Sequence, residues 1–234
     1  MRRLMDSRVV KVGMTLSTKL NILRAGVLGA NDGIISVAGV ILGMAGASQD
    51  KYYLVLAGLA GMFAGAFSMA GGEYVSVSAQ RETQKSVIQL AATRLQENHE
   101  FEIERLIGIY QGKGLSRTVA ADVVSELMSQ NELENYCKEV NNIDVGEYLN
   151  PWHAAVSSVI SFVVGSLVPL LLITILPAGM MIPMTVIGVA LALLLTGAIS
   201  GVLGHNNVKY AMTRNVVVGL VTMIVTYYIG GLFG

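Results

Sequence analysis

An all-α integral membrane protein with five transmembrane helices, and a cytoplasmic helical domain inserted between the second and third, is predicted by three features of this 234-residue chain. Hydrophobic residues make up 53% and charged residues only 14%, with a mean hydropathy of +0.59, which is too apolar for an ordinary soluble domain of this length. Five stretches are long enough to cross about 30 Å of hydrocarbon, a distance that takes roughly 20 helical residues. Between the second and third of them, over residues 81–150, charges become dense.

Residues 1–19 carry Arg2, Arg3, Arg8 and Lys11, but Asp6, Ser7 and Thr15 interrupt the apolar core that a cleavable signal needs, so the segment reads as retained, interfacial and cytoplasmic. Residues 20–80 hold the first two spans, at 20–46 and 53–72, joined by the short turn from Ala47 to Lys51. Residues 151–234 hold the other three, at 154–176, 181–204 and 216–233. Pro177-Ala178-Gly179 joins the third to the fourth, and a polar loop from Gly204 to Asn215 joins the fourth to the fifth. Short connections imply antiparallel neighbours.

Orientation follows from the lysines and arginines, which concentrate on cytoplasmic flanks. Arg2, Arg3, Arg8, Lys11 and Lys19 precede the first span, Arg81 and Lys85 follow the second, and Lys209 and Arg214 lie between the fourth and fifth; the opposite side holds only Lys51. The N-terminus is therefore expected inside and the C-terminus outside. Tyr52, Tyr53, Trp152, Tyr227 and Tyr228 fall at or near span ends, where amphipathic rings prefer the interface.

The segment 81–150 contains seven basic and twelve acidic residues. Its apolar positions recur at helical spacing, as in Leu106, Ile109 and Tyr110, then Val119, Val123, Val124 and Leu127. Gly112-Lys113-Gly114 breaks the pattern and Ser116 can cap the next helix. Three helices are predicted: an extension of the second span through Gln96, then 98–111, then 116–138. The single cysteine, Cys137, excludes an intramolecular disulfide and any CxxC metal site, and reads as an inert semi-buried thiol.

The chemistry lies in the spans. An Asn31-Asp32-Gly33 triplet interrupts the first, and a carboxylate at a helix centre costs about 3 kcal/mol or more, so Asp32 is read as functional. At about 1.5 Å per residue, Asp32 lies roughly 18 Å in from the cytoplasmic end, close to the midplane. Gly61, Gly65, Met69 and Glu73 are spaced by four and form one stripe of the second helix. The glycines there suit close helix packing, and Met69 taken alone fills space. Glu73 falls at the cytoplasmic mouth, and Met69 between it and Asp32. Carboxylates with a thioether suit Fe²⁺ and similar transition metals. Carboxylates also carry protons, which metal binding expels. A proton-coupled divalent-metal carrier follows as an expectation. Arg24, two turns before Asp32, is read as snorkelling to the interface.

Leu23-Arg24-Ala25-Gly26-Val27-Leu28-Gly29-Ala30-Asn31-Asp32-Gly33, then the run from Ala64 through Met69 and Glu73 to Ser78, and later Asn150-Pro151-Trp152-His153-Ala154-Ala155, resemble the vacuolar iron transporter family over essentially the whole chain. The resemblance implies a five-span homodimer that moves Fe²⁺, often also Mn²⁺, out of the cytosol in exchange for protons, along a path at the dimer interface lined by the first helix of each subunit. It puts the family's intramembrane aspartate and methionine on Asp32 and Met69. It further implies a cytoplasmic metal site of glutamate pairs plus a methionine and a glutamate four apart, for which Glu97, Glu100, Glu102, Glu104, Met128 and Glu132 have the spacing. Family members commonly carry acidic residues along the helix extension, and this chain has none from Thr83 to Gln96. A solvated acidic face stands beside the ligand reading for Glu97 to Glu104.

His99 reads as solvent-exposed, His205 with Asn206 and Asn207 as a helix terminator, and His153 as an interface residue. No Ser/His/Asp set, HExxH or Walker loop appears, so an enzyme is not expected. The alternative to a carrier is a metal-responsive membrane protein with lost or weak transport. Expected partners are divalent metal ions, the lipid bilayer and a second copy of the chain, with no nucleic acid and no resident cofactor. A prokaryotic cell (inner) membrane is the expected location.

Overall fold

The computed structural model describes residues 16–234 apart from Glu147 and Asn206. Of the expected interfacial segment, residues 1–15 lie outside the described residues. Among those described, all regular structure is helical: α1 (Leu16–Ala47), α2 (Lys51–Glu97), α3 (His99–Gly112), α4 (Arg117–Asn141), α5 (Pro151–Ile175), α6 (Met181–Leu203) and α7 (Val208–Gly231). Five of them, α1 from Ile22, α2, α5, α6 and α7, are long and apolar enough to cross a membrane.

The chain divides into two compact units. One takes the chain up to Val75 together with Asn150–Gly234, and the other is Ser76–Leu149. In the first, α1 packs against α5 and α7, and α6 against α7. Small residues make these approaches possible. Gly26, Gly29 and Gly33 turn toward α5, where Ser157, Ser158, Ser161 and Phe162 meet them, and Gly39, Gly43 and Gly46 turn toward Thr222, Thr226 and Tyr227 of α7. A Cβ on Gly33 would run into the Phe162 carbonyl, which is backbone and cannot move aside. Around these seams Val37, Ile41, Leu54, Phe162, Ile173, Val189 and Leu193 form a closed core. Large apolar side chains also face outward, such as Phe67, Ile160 and Leu191, as lipid-facing surfaces require.

Local chemistry sets the helix ends. The Asn150 side chain accepts from the Trp152 amide at 3.0 Å, with Pro151 in the first turn, where its missing N–H costs nothing. Ser116 caps α4 as expected, accepting from Val119 N, and Asn142 closes it in the left-handed region, φ 54°. After α6, His205 takes φ 52°, in keeping with its expected role as a terminator.

One boundary is corrected. The fifth span was expected to start at 216 after a loop from Gly204 to Asn215, but α7 begins at Val208, capped by the Asn207 side chain, which accepts from Tyr210 N at 3.2 Å. Lys209 and Arg214 are therefore helical. Charge keeps a residue out of hydrocarbon, but it does not keep it out of a helix.

In the second unit, Leu95, Leu106, Ala120, Val124, Tyr136 and Cys137 form a core of their own. Burial pushes the Cys137 thiol up from its ordinary pKa, which fits an inert thiol. Within α4 the helix is broken at Asn131, φ −129° and ψ 76°, and the Asn135 amide donates to the Leu127 carbonyl at 2.5 Å across the break.

Candidate functional site

Asp32 stands in α1 one residue before Gly33, half-buried, and accepts a hydrogen bond from Ser36 Oγ, one turn on, at 2.7 Å. Among the described residues no basic side chain forms an ion pair with it. A carboxylate at this depth without a counter-ion retains its capacity for an incoming cation or proton. Its neighbour Asn31 faces the other way. Asn31 Oδ1 accepts from Asn215 Nδ2 of α7 at 2.9 Å and from Thr196 Oγ1 of α6 at 3.3 Å, which fixes this turn of α1 against two other helices.

The stripe on α2 meets the bundle. Gly61 faces Val40 of α1, Gly65 faces the ring of Phe162, and Met69 is half-buried against the core. Glu73 is buried, 9% exposed, and pairs with Arg24 of α1 at 3.1 Å. Arg24 is thus engaged by the Glu73 carboxylate, where the sequence offered an indirect pairing with Asp32 or, in preference, snorkelling to the interface. The ion pair ties the α2 stripe to the face of α1 eight residues before Asp32. No hydrogen bond or ion pair joins Asp32, Met69 and Glu73 to one another within one chain.

In the second unit the acidic residues separate into two groups. Glu102 is buried, 4% exposed, and accepts from the Tyr136 hydroxyl and from Arg105. Burial, then that hydrogen bond, pushes the Tyr136 pKa up. Glu104 pairs with Arg117 at 2.7 Å, and Glu132 with His99 at 2.6 Å, so His99 is exposed yet partnered. Glu97 and Glu100 are exposed. Met128 is half-buried against the core, and the break at Asn131 interrupts the single helical face that Met128 and Glu132 were expected to share. Glu139 is also taken, by Lys113 at 2.8 Å, which holds its carboxyl below the usual range. Among the described residues no three His, Cys, Asp or Glu side chains gather closely enough to hold a metal ion.

Sequence reasoning missed Ser36, the Asn31–Asn215–Thr196 group and the Arg24–Glu73 pair. Ser36 was within reach, because a hydroxyl four residues after a buried carboxylate shares its helix face. The other two join residues at least 49 positions apart, for which helical spacing carries no signal.

The VIT family model matches residues 23–231 of the chain. Among similar proteins, a vacuolar iron transporter of Acanthamoeba castellanii is 34% identical over 89% of this chain and 77% of its own length. Vacuolar iron transporter homolog 1 of Oryza sativa subsp. japonica is 33% identical over 95% and 78%, and homolog 4 of Arabidopsis thaliana is 29% identical over 88% and 80%.

Proposed function

The chain belongs to the VIT family, and from that premise we propose that it is a homodimeric carrier that moves Fe²⁺, and also Mn²⁺, out of the cytosol in exchange for protons. The observation that carries the reading is Asp32, a mid-span carboxylate that accepts from the Ser36 hydroxyl and, among the described residues, pairs with no basic side chain. A structural aspartate at that depth would be expected to have a basic partner. Vacuolar iron transport in the relatives' names supports iron as the cargo.

Asp32 is the ligand and proton carrier in this account, Ser36 orients it, and Met69 supplies a soft donor. Arg24 holds Glu73 beside the route. The acidic helices contribute Glu97 and Glu100, since Glu102, Glu104 and Glu132 are engaged by other side chains. A single chain offers an ion too few donors to replace its waters, and a two-fold axis beside α1 doubles each of them. Native mass spectrometry of the purified protein is expected to give a dimer; a monomer that transports would contradict the two-copy path. The prokaryotic inner membrane remains the proposed setting, and the distribution of lysine and arginine supports placing the N-terminus and the acidic helices in the cytosol.

Met69→Leu keeps volume and removes sulfur. The variant should lose on the order of tenfold in apparent Fe²⁺ affinity, the scale on which changes around a metal site act, and lose distinctly less for Mn²⁺. Uptake titrations with both ions check this, and equal losses would leave Met69 a packing residue.

A further inference from the structure

Where α1 between Leu23 and Asn31 meets the last turn of α6 and the second turn of α7, the helices leave a crevice of about 350 Å³. Arg24 and Arg214 line it, with the amides of Asn31 and Asn215. Apart from Ser200, the side chains of Leu23, Val27, Leu28 and Leu203 make the rest of the wall apolar, and among the described residues no carboxylate lines it. The polar floor is fixed, because Asn215 is buried and donates to Asn31. Arg214 is exposed, and among the described residues it forms no ion pair.

We propose that this crevice binds an anionic phospholipid, its phosphate on the guanidinium groups of Arg214 and Arg24 and an acyl chain along the leucine and valine wall. With Arg24 compensated by Glu73, the charge of Arg214 remains to repel a metal cargo and to suit a phosphate, which a guanidinium grips with paired N–H donors. A free phosphate would leave the apolar wall wet, whereas a lipid covers both surfaces. Basic pockets between membrane helices take anionic headgroups in this way. Arg24 keeps its Glu73 partner in this arrangement, so bound lipid bears on the same arginine that holds the α2 stripe.

The test is native mass spectrometry of the full-length protein in mild detergent, with phosphatidylglycerol and phosphatidylcholine of matched chains offered together. The wild type should retain phosphatidylglycerol about fivefold or more over phosphatidylcholine, the gain expected from one arginine beside an anionic headgroup. Arg214→Gln should remove most of that preference and Arg214→Lys should keep most of it. Leu203→Trp, which fills the apolar wall from an exposed position, should reduce retention with both arginines intact. Added inorganic phosphate should not displace the lipid. Equal retention of the two lipids, an unchanged preference in Arg214→Gln, or displacement by phosphate would each overturn the proposal. So would a disulfide-linked dimer formed by Arg214→Cys, since a second copy would then occupy the crevice.

Discussion

The Asp32→Asn variant is expected to fold, insert and carry no Fe²⁺. Asparagine keeps the shape of the side chain, and its amide oxygen still accepts the Ser36 hydroxyl that Asp32 accepts at 2.7 Å. It holds neither a negative charge for the ion nor a titrating proton. Leaving a buried charge without its partner costs about 3–5 kcal/mol, and each factor of ten takes about 1.4 kcal/mol, so flux should fall by about a hundredfold or more. Flux measured in proteoliposomes, with insertion checked by protease accessibility, decides it. Wild-type flux in a correctly inserted variant would remove Asp32 from the mechanism and favour a protein that senses metal without moving it.

The second large effect concerns assembly. Gly33→Ala places a Cβ against the Phe162 carbonyl, and because both partners are backbone the crossing of α1 and α5 must open. Overpacking of this kind costs about 1–3 kcal/mol, which should lower the thermal midpoint in detergent by roughly 2–12 °C. Gly71→Ala is the control, since among the described residues nothing lies within 4 Å of the added methyl. Equal midpoints for Gly33→Ala and the wild type would show that the α1–α5 seam is looser than described.

Helices were the most legible part of the sequence, because hydropathy and apolar spacing report directly on what a helix must bury. The helix extension of the second span was expected through Gln96 and α2 ends at Glu97; α5 was expected from 154 and starts at Pro151. The start of α7 was misplaced because Lys209 and Arg214 look like loop residues to a hydropathy reading, although a helix can carry them in its first turns. The break at Asn131 was invisible, since the apolar residues on either side still fall near helical spacing and the compensating bond comes from the Asn135 side chain. Asp32 was legible from cost alone, an acid in an apolar span. The commitments of Glu102 to Tyr136 and of Glu132 to His99 were not, because an acidic run reads the same whether its carboxylates await an ion or already hold a partner.

Exchange of Fe²⁺ for protons through Asp32 is the centre of the account, and one measurement reaches it directly. The purified protein is reconstituted into liposomes carrying a pH reporter, Fe²⁺ is added outside, and metal entry and internal pH are followed together with and without an imposed pH gradient. The account predicts that Fe²⁺ entry is accompanied by internal alkalinisation, accelerates when the interior is made more acidic, and that both signals vanish in Asp32→Asn. Fe²⁺ entry that is indifferent to the gradient and moves no protons would contradict it.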